Sequence, residues 1–221
     1  MSNRTCWIVG FALVAIAWIA TAAIYPNLPE RLPTHWNARG EVDGYGDRAW
    51  AAFAMPAGMA AMLGLFAALP WLSPKRFSVA DFRNTSLQIM LVVLGLFAYM
   101  QILTLYTGLK GGVDAARALV GGMMLFFAAL GNLMGKVRRN FYIGVRTPWT
   151  IASERVWNDT HRLAAWTWVA GGLAGSALAW AGYLIGATVM LAPLVLVPVV
   201  YSFVHYKALE KRGQLDAEAA G

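Results

Sequence analysis

Charge is what this chain is short of. Asp, Glu, Lys and Arg make up 13% of its 221 residues, against 59% hydrophobic, where a soluble domain carries about 25% charged residues. So little polarity, with a mean hydropathy of +0.53, excludes a water-soluble globule. Cysteine is nearly missing as well: Cys6 stands alone, which excludes an intramolecular disulfide and a cysteine metal cluster. No carboxylate falls inside the apolar runs, although proton-driven pumps rely on one there. That argues against an ion-coupled transporter. Internal repeats and low-complexity linkers are absent too.

The charge that is present is lopsided. A net charge of +7 and a pI near 9.8 would raise nucleic acid as a partner. The basic residues sit beside long apolar runs, however, which is the pattern of cytoplasmic loops in membrane proteins. The bilayer is therefore the expected partner, with no direct contact to nucleic acid.

A helix needs about 20 apolar residues to cross a bilayer. Trp7–Tyr25, Ala49–Leu72, Thr85–Gly108 and the shorter Ala118–Gly135 are four such runs. From Leu163 to Tyr206 no charged residue occurs, enough for two more spans and a turn around Gly182 to Thr188. The first run lacks a small-x-small cleavage site and is expected to stay as the first span. The expected fold class is all-α, a polytopic six-helix transmembrane bundle, because lipid cannot satisfy open backbone groups. It divides into a two-span unit over residues 1–72, with a Pro-rich outer loop, and a four-span unit over 73–221. With both termini on one side, that side holds thirteen of the eighteen Lys and Arg residues and the other holds five. The positive-inside rule then places both termini in the cytoplasm of a bacterial plasma membrane. Gly58, Gly64, Gly121, Gly122, Gly171, Gly172 and Gly175 would let helices approach closely, and Pro56, Pro193 and Pro198 would bend theirs. The tail beyond Lys207 is expected to fray.

Two polar stretches interrupt the runs. The outer one follows the first span. Pro26, Pro29 and Pro33 make a stiff, non-helical leader, and Gly40, Gly44 and Gly46 supply turns. His35, Trp36, Asn37, Asp43 and Asp47 are its chemical groups. Their spacing matches no metal-ligand signature, and no cofactor is implied. Trp36, Tyr45 and Trp50 are expected at the headgroup level. This loop reads either as a surface for an external peptide or lipid, or as a structural cap.

The inner stretch, Gly131–Arg162, holds six of the eighteen Lys and Arg residues. The amide of Asn132 needs a partner in the bundle or in a water-filled pocket. Asn140, Gly144 and Pro148 predict successive turns. Arg146, between Gly144 and Pro148, offers five donors to a carboxylate, a phosphate or several backbone carbonyls. Thr150 is expected to cap an interfacial helix over Ile151–His161, with Trp149 and Trp157 as headgroup anchors. Asp159 and His161 point apart on such a helix, and Ser153 has no nucleophile motif around it. No residue is assigned a catalytic role.

Certain of these residues form a pattern. Gly131-Asn132, Met134, Asn140, Ile143-Gly144, Arg146-Thr147-Pro148-Trp149-Thr150, Glu154, Val156-Trp157 and Arg162 resemble the signature of the SdpI family of bacterial immunity proteins. The outer run Leu28-Pro29, Pro33-Thr34-His35-Trp36-Asn37, Gly40 and Asp43-Gly44 is similar to the uncharacterised N-terminal domain that accompanies it. Gly135 departs from the family pattern, which carries proline there. The resemblance implies a non-enzymatic plasma-membrane protein that protects its cell from a secreted, membrane-active toxin peptide. It also implies docking of a cytosolic transcriptional repressor. His35, Trp36, Asn37 and Asp43 would then face the toxin. The inner segment, with His161 and Arg162 at its end, would hold the fold or meet the repressor. A transporter or membrane enzyme gripping a small molecule or lipid headgroup stays open. Its mark would be a polar cavity reaching Asn132 and Gln101. A purely structural subunit stays open as well.

Overall fold

The computed structural model describes residues 1–37, 41–111 and 114–215. Arg39 and Gly40 of the outer loop, and the end of the tail, lie outside the described residues. The rest is mostly helical: α1 (Asn3–Ile24), α2 (Arg48–Leu72), α3 (Arg83–Lys110), α4 (Ala115–Met134), a short α5 (Pro148–Ala152), α6 (Glu154–Trp180), a short α7 (Leu184–Val189) and α8 (Leu191–Lys211). Among the described residues, five helices are long and apolar enough to cross a membrane: α1, α2, α3, α4 and α8, the last joined to α7. Helix α6 has the length, but Glu154–Arg162 is polar and its uncharged part is diluted by Gly, Trp and Thr.

The outer loop departs from an all-helical plan. It folds into an antiparallel hairpin, β1 (Arg31–Trp36) with β2 (Val42–Asp47), that pairs Arg31 with Asp47 and His35 with Gly44. Gly44 and Gly46 are strand residues rather than turns. A Cβ on Gly44 would stand 2.8 Å from that of His35, so glycine lets the strands close. Pro33 is tolerated because a two-stranded ribbon is all edge. Asp47 accepts from Ala49 N and Trp50 N and so caps α2. Leu32 is fully buried and packs with Leu28 and Leu105, fastening the hairpin to one end of the bundle. The inner segment closes the other end, where Tyr142 Oη donates to Leu72 O at 2.8 Å and Asn84 reaches Met1 O.

Helices α4 and α6 form the tightest pair. A Cβ on Gly172 would lie 2.6 Å from both Ala128 N and Met124 O, and one on Gly131 would lie 2.8 Å from Val169 N. Backbone touches backbone at this crossing, which only glycine permits. The other predicted packing glycines meet single side chains, such as Phe97 at Gly58 and Leu194 at Gly171, whereas Gly64 has nothing within 4 Å. Gly172→Val should therefore destabilise the fold by about 3 kcal/mol. Gly64→Ala should be neutral or stabilising by up to about 1 kcal/mol. Unfolding in detergent against rising dodecyl sulfate measures both; equal effects would show that the α4–α6 contact is not held by its glycines.

Candidate functional site: a self-satisfied knot at the inner end

Between α4 and α6 the chain runs for thirteen residues, 135–147, without regular structure. Asn140 organises the first half. It is fully buried. Its Oδ1 accepts from Tyr142 N (2.7 Å) and Ile143 N (2.8 Å), and its Nδ2 donates to Arg138 O (2.7 Å) and Ile143 O (3.0 Å). One amide thus uses both donors and both lone pairs on a single loop.

His161 organises the second half. Val145 N donates to His161 Nε2 at 3.0 Å, so the other nitrogen carries the proton, and Nδ1 donates to Trp157 O at 2.8 Å. The ring stacks on Trp157 with centroids 4.0 Å apart. Gly144 lies against it at φ +111°, where a Cβ would stand 2.3 Å from Nε2. Close approach and left-handed backbone both demand glycine. His161 precedes the uncharged run that begins at Leu163. Burial pushes its pKa down from 6.5 to about 4, against a small opposing effect of the Trp157 carbonyl.

Threonines finish the knot. Thr147 and Thr150 form a capping box around α5, with Pro148 in its first turn. Thr150 Oγ1 donates to Val145 O at 2.8 Å, and Thr147 Oγ1 meets Ser202 Oγ of α8 at 2.9 Å. Thr150 therefore does not cap the long helix. Ser153 does, accepting from Val156 N, and the expected interfacial helix is simply the first turns of α6.

Trp157 is corrected most. It is wholly buried rather than a headgroup anchor, and its Nε1 donates to Val137 O at 2.7 Å. Trp149 is half-buried on Phe203 of α8. Arg146 is exposed and donates to Phe141 O, taking up one of its three expected kinds of partner. Arg162 is exposed beside Asp159 (3.6 Å). Asn132 lies exposed in the last turn of α4 rather than partnered inside the bundle. Asp159 also meets His205 Nε2 of α8 at 2.9 Å, and His205 stacks on Tyr201. Sequence reading missed this pair and Ser202. The only signal was polar residues at 201, 202 and 205, spaced to share a face of the last helix.

At the outer end His35 Nδ1 and Asp43 Oδ1 are 2.5 Å apart across the strands and exposed. Asn37 ties to Glu41 through side chain and backbone. Tyr45 and Trp50 stand exposed. Trp36 instead turns inward, packing on Leu103, Ala115 and Ala118.

Comparison with known proteins follows this division. Residues 136–204 match the SdpI/YfhL protein family, and residues 12–60 match a domain of unknown function, DUF1648. The chain is SdpI-like. It is 25% identical over 201 residues to the protein named Immunity protein SdpI of Bacillus subtilis (strain 168), covering 90% of this chain and 94% of that one. No solved structure matches. The SdpI/YfhL match covers the knot and the α8 residues that meet it; the DUF1648 match covers the hairpin and the helices that carry it. The apolar helices and this likeness make the SdpI-like chain a multi-pass membrane protein.

Two outcomes follow from the knot. Asn140→Ala removes four hydrogen bonds and strands Ile143 N and Ile143 O in the interior, at about 2–4 kcal/mol. Limited proteolysis between 135 and 147 should then quicken at least tenfold; an unchanged rate would show that the loop is held otherwise. The neutral His161 makes the fold pH-dependent. Because its folded pKa lies below the unfolded value, the unfolded chain gains the proton first as pH falls. Stability is complete above about pH 6.5 and declines toward pH 4, by about 3 kcal/mol in all. Thermal melts of the detergent-solubilised protein between pH 7.5 and 4 should show the decline, and His161→Gln should flatten it.

Proposed function

We propose that this is an immunity membrane protein that shields its cell from a secreted, membrane-active peptide. The observation that carries this is the likeness to a protein named for immunity along nearly the whole of both chains. In this reading α6 is a sixth span over Leu163–Trp180, packed against α4 along its length. The termini and the knot face the cytoplasm and the hairpin faces outward, as the distribution of basic residues favours. The two units, 1–72 and 73–221, then correspond to an outward-sensing part and a part that carries the inner signature. His35, Asn37 and Asp43, exposed or half-exposed on the hairpin, are the residues offered to the peptide.

A repressor, if docked inside, would meet Arg146, Arg162 and the edge of Trp149. Trp157 and His161 are buried and serve the fold. The transporter or enzyme alternative is disfavoured by a specific pair of observations. Asn132 faces outward, and Gln101 is buried with Nε2 bonded to Thr21 Oγ1 and Ala52 O. Neither lines the apolar cavity under the hairpin.

Expression in a toxin-sensitive strain challenged with secreted, membrane-active toxin peptides should raise survival at least tenfold, with a reporter fused after Thr150 reading cytoplasmic. Equal killing with and without the protein would reject immunity, and an external reporter would reject the orientation.

A further inference from the structure

Trp36 stands between two cavities. One, of about 390 Å³, is walled by Met55, Met100, Leu103, Met123 and Met124. The other, of about 300 Å³, lies toward Ala116 and Leu184. Leu119, Val120 and Thr188 border both, and no Asp, Glu, Lys or Arg lines either. Four methionines give the larger space unbranched, adaptable walls. Pockets of this size and apolarity, with a few polar groups, are the usual form of small-ligand sites. One polar group is unfinished: Trp36 Nε1 is shut off from solvent and has no acceptor. A donor left so costs about 1–3 kcal/mol. The strand that carries it is irregular on both sides of His35, so the ring sits where the ladder holds it least.

Depth and width narrow the occupant. Met55 lies seven residues into α2 and Leu119 four into α4. At 1.5 Å per residue these are about 10 and 6 Å from the hairpin-side helix ends. That is the zone just below the headgroups, where phospholipids keep their ester carbonyls and upper methylenes. A peptide helix, about 10 Å across, is too wide for a space of this volume, whereas a single hydrocarbon chain is not. The ionisable side chain on the wall of the larger cavity, His35, is already tied to Asp43, so charged headgroups find no free partner within.

The geometry points to a lipid site: one acyl chain of a phospholipid from the hairpin-side leaflet lies in the larger cavity, and the Trp36 indole turns to donate to its ester carbonyl. This goes beyond the immunity reading and stands without it.

The test uses the full chain in phosphatidylglycerol nanodiscs, with a diazirine on one acyl chain, photolysis and peptide mass spectrometry. Adducts are expected on Met55, Met100 or Met123. They should fall about tenfold in Thr188→Trp, which fills the space from an exposed position, and severalfold in Trp36→Phe, which keeps an aromatic ring but no donor. Adducts on the exposed apolar residues Ile8, Ile19 and Val204 serve as the standard and should stay constant. Labelled standards with unlabelled cavity residues would overturn the site, and so would cavity labelling unchanged in either variant. Labelling of the cavity by a diazirine-bearing apolar peptide helix, where the lipid fails, would overturn it too.

Discussion

A chain that leaves one bilayer helix and enters another must satisfy its own backbone groups on the way. Where the connecting loop is buried against the bundle, water cannot reach those groups and neighbouring side chains must serve them. Residues 135–147 meet that demand with side chains in place of regular structure. Asn140 serves four backbone groups, His161 serves two, and Thr147 with Thr150 serve the turn into α5. The rest of the inner end hangs on this arrangement. Trp157 can be buried only because Val137 O is presented to its indole. Gly144 can approach His161 only because it lacks a Cβ.

The same demand explains why the motif is spread over three elements. Asn140 closes a loop by itself, but His161 lies on α6 and Ser202 on α8. Their bonds to Val145 and Thr147 therefore fix how α6 and α8 meet the loop. Further along the same face of α6, backbone contact with α4 through Gly131 and Gly172 fixes its depth. Helix α6 is located by hydrogen bonds at its start and by glycine contacts further along. That makes up for an apolar run weaker than those of its neighbours.

Four of the long runs reappear as helices within a few residues of their expected ends, whereas α6 starts nine residues before Leu163 and α7 occupies the stretch expected as a turn. The polar stretches were legible as places, less so as structures. The hairpin was hidden by Pro33, Gly44 and Gly46, residues that read as breakers locally and become strand formers only when two segments pair. The capping order was hidden because Thr147, Thr150 and Ser153 are all competent caps, and tertiary contact with Val145 and Ser202 decides among them. Trp157 misled for a related reason. A tryptophan near a membrane boundary reads as an anchor by composition, and only the fold-back of the Asn140 loop brings the Val137 carbonyl to it, while His161 stacks on it from the next turn of its own helix.

These differences make the two ends of the bundle physically unlike. At the inner end the backbone groups bonded to Asn140, His161 and Thr150 have partners whose loss would expose them, although Thr160 Oγ1 beside them is buried without one. The outer end keeps a two-stranded ribbon with irregular register, an indole without an acceptor and apolar space beneath it. Two-stranded ribbons are marginal on their own, and this one is held mainly by Leu32 and its neighbours. Low local stability is where binding segments are drawn from. With Trp157 and His161 buried, the exposed side chains of this end, among them Lys136, Arg138, Arg146, Arg155 and Arg162, are the ones that can change partners without unmaking the fold.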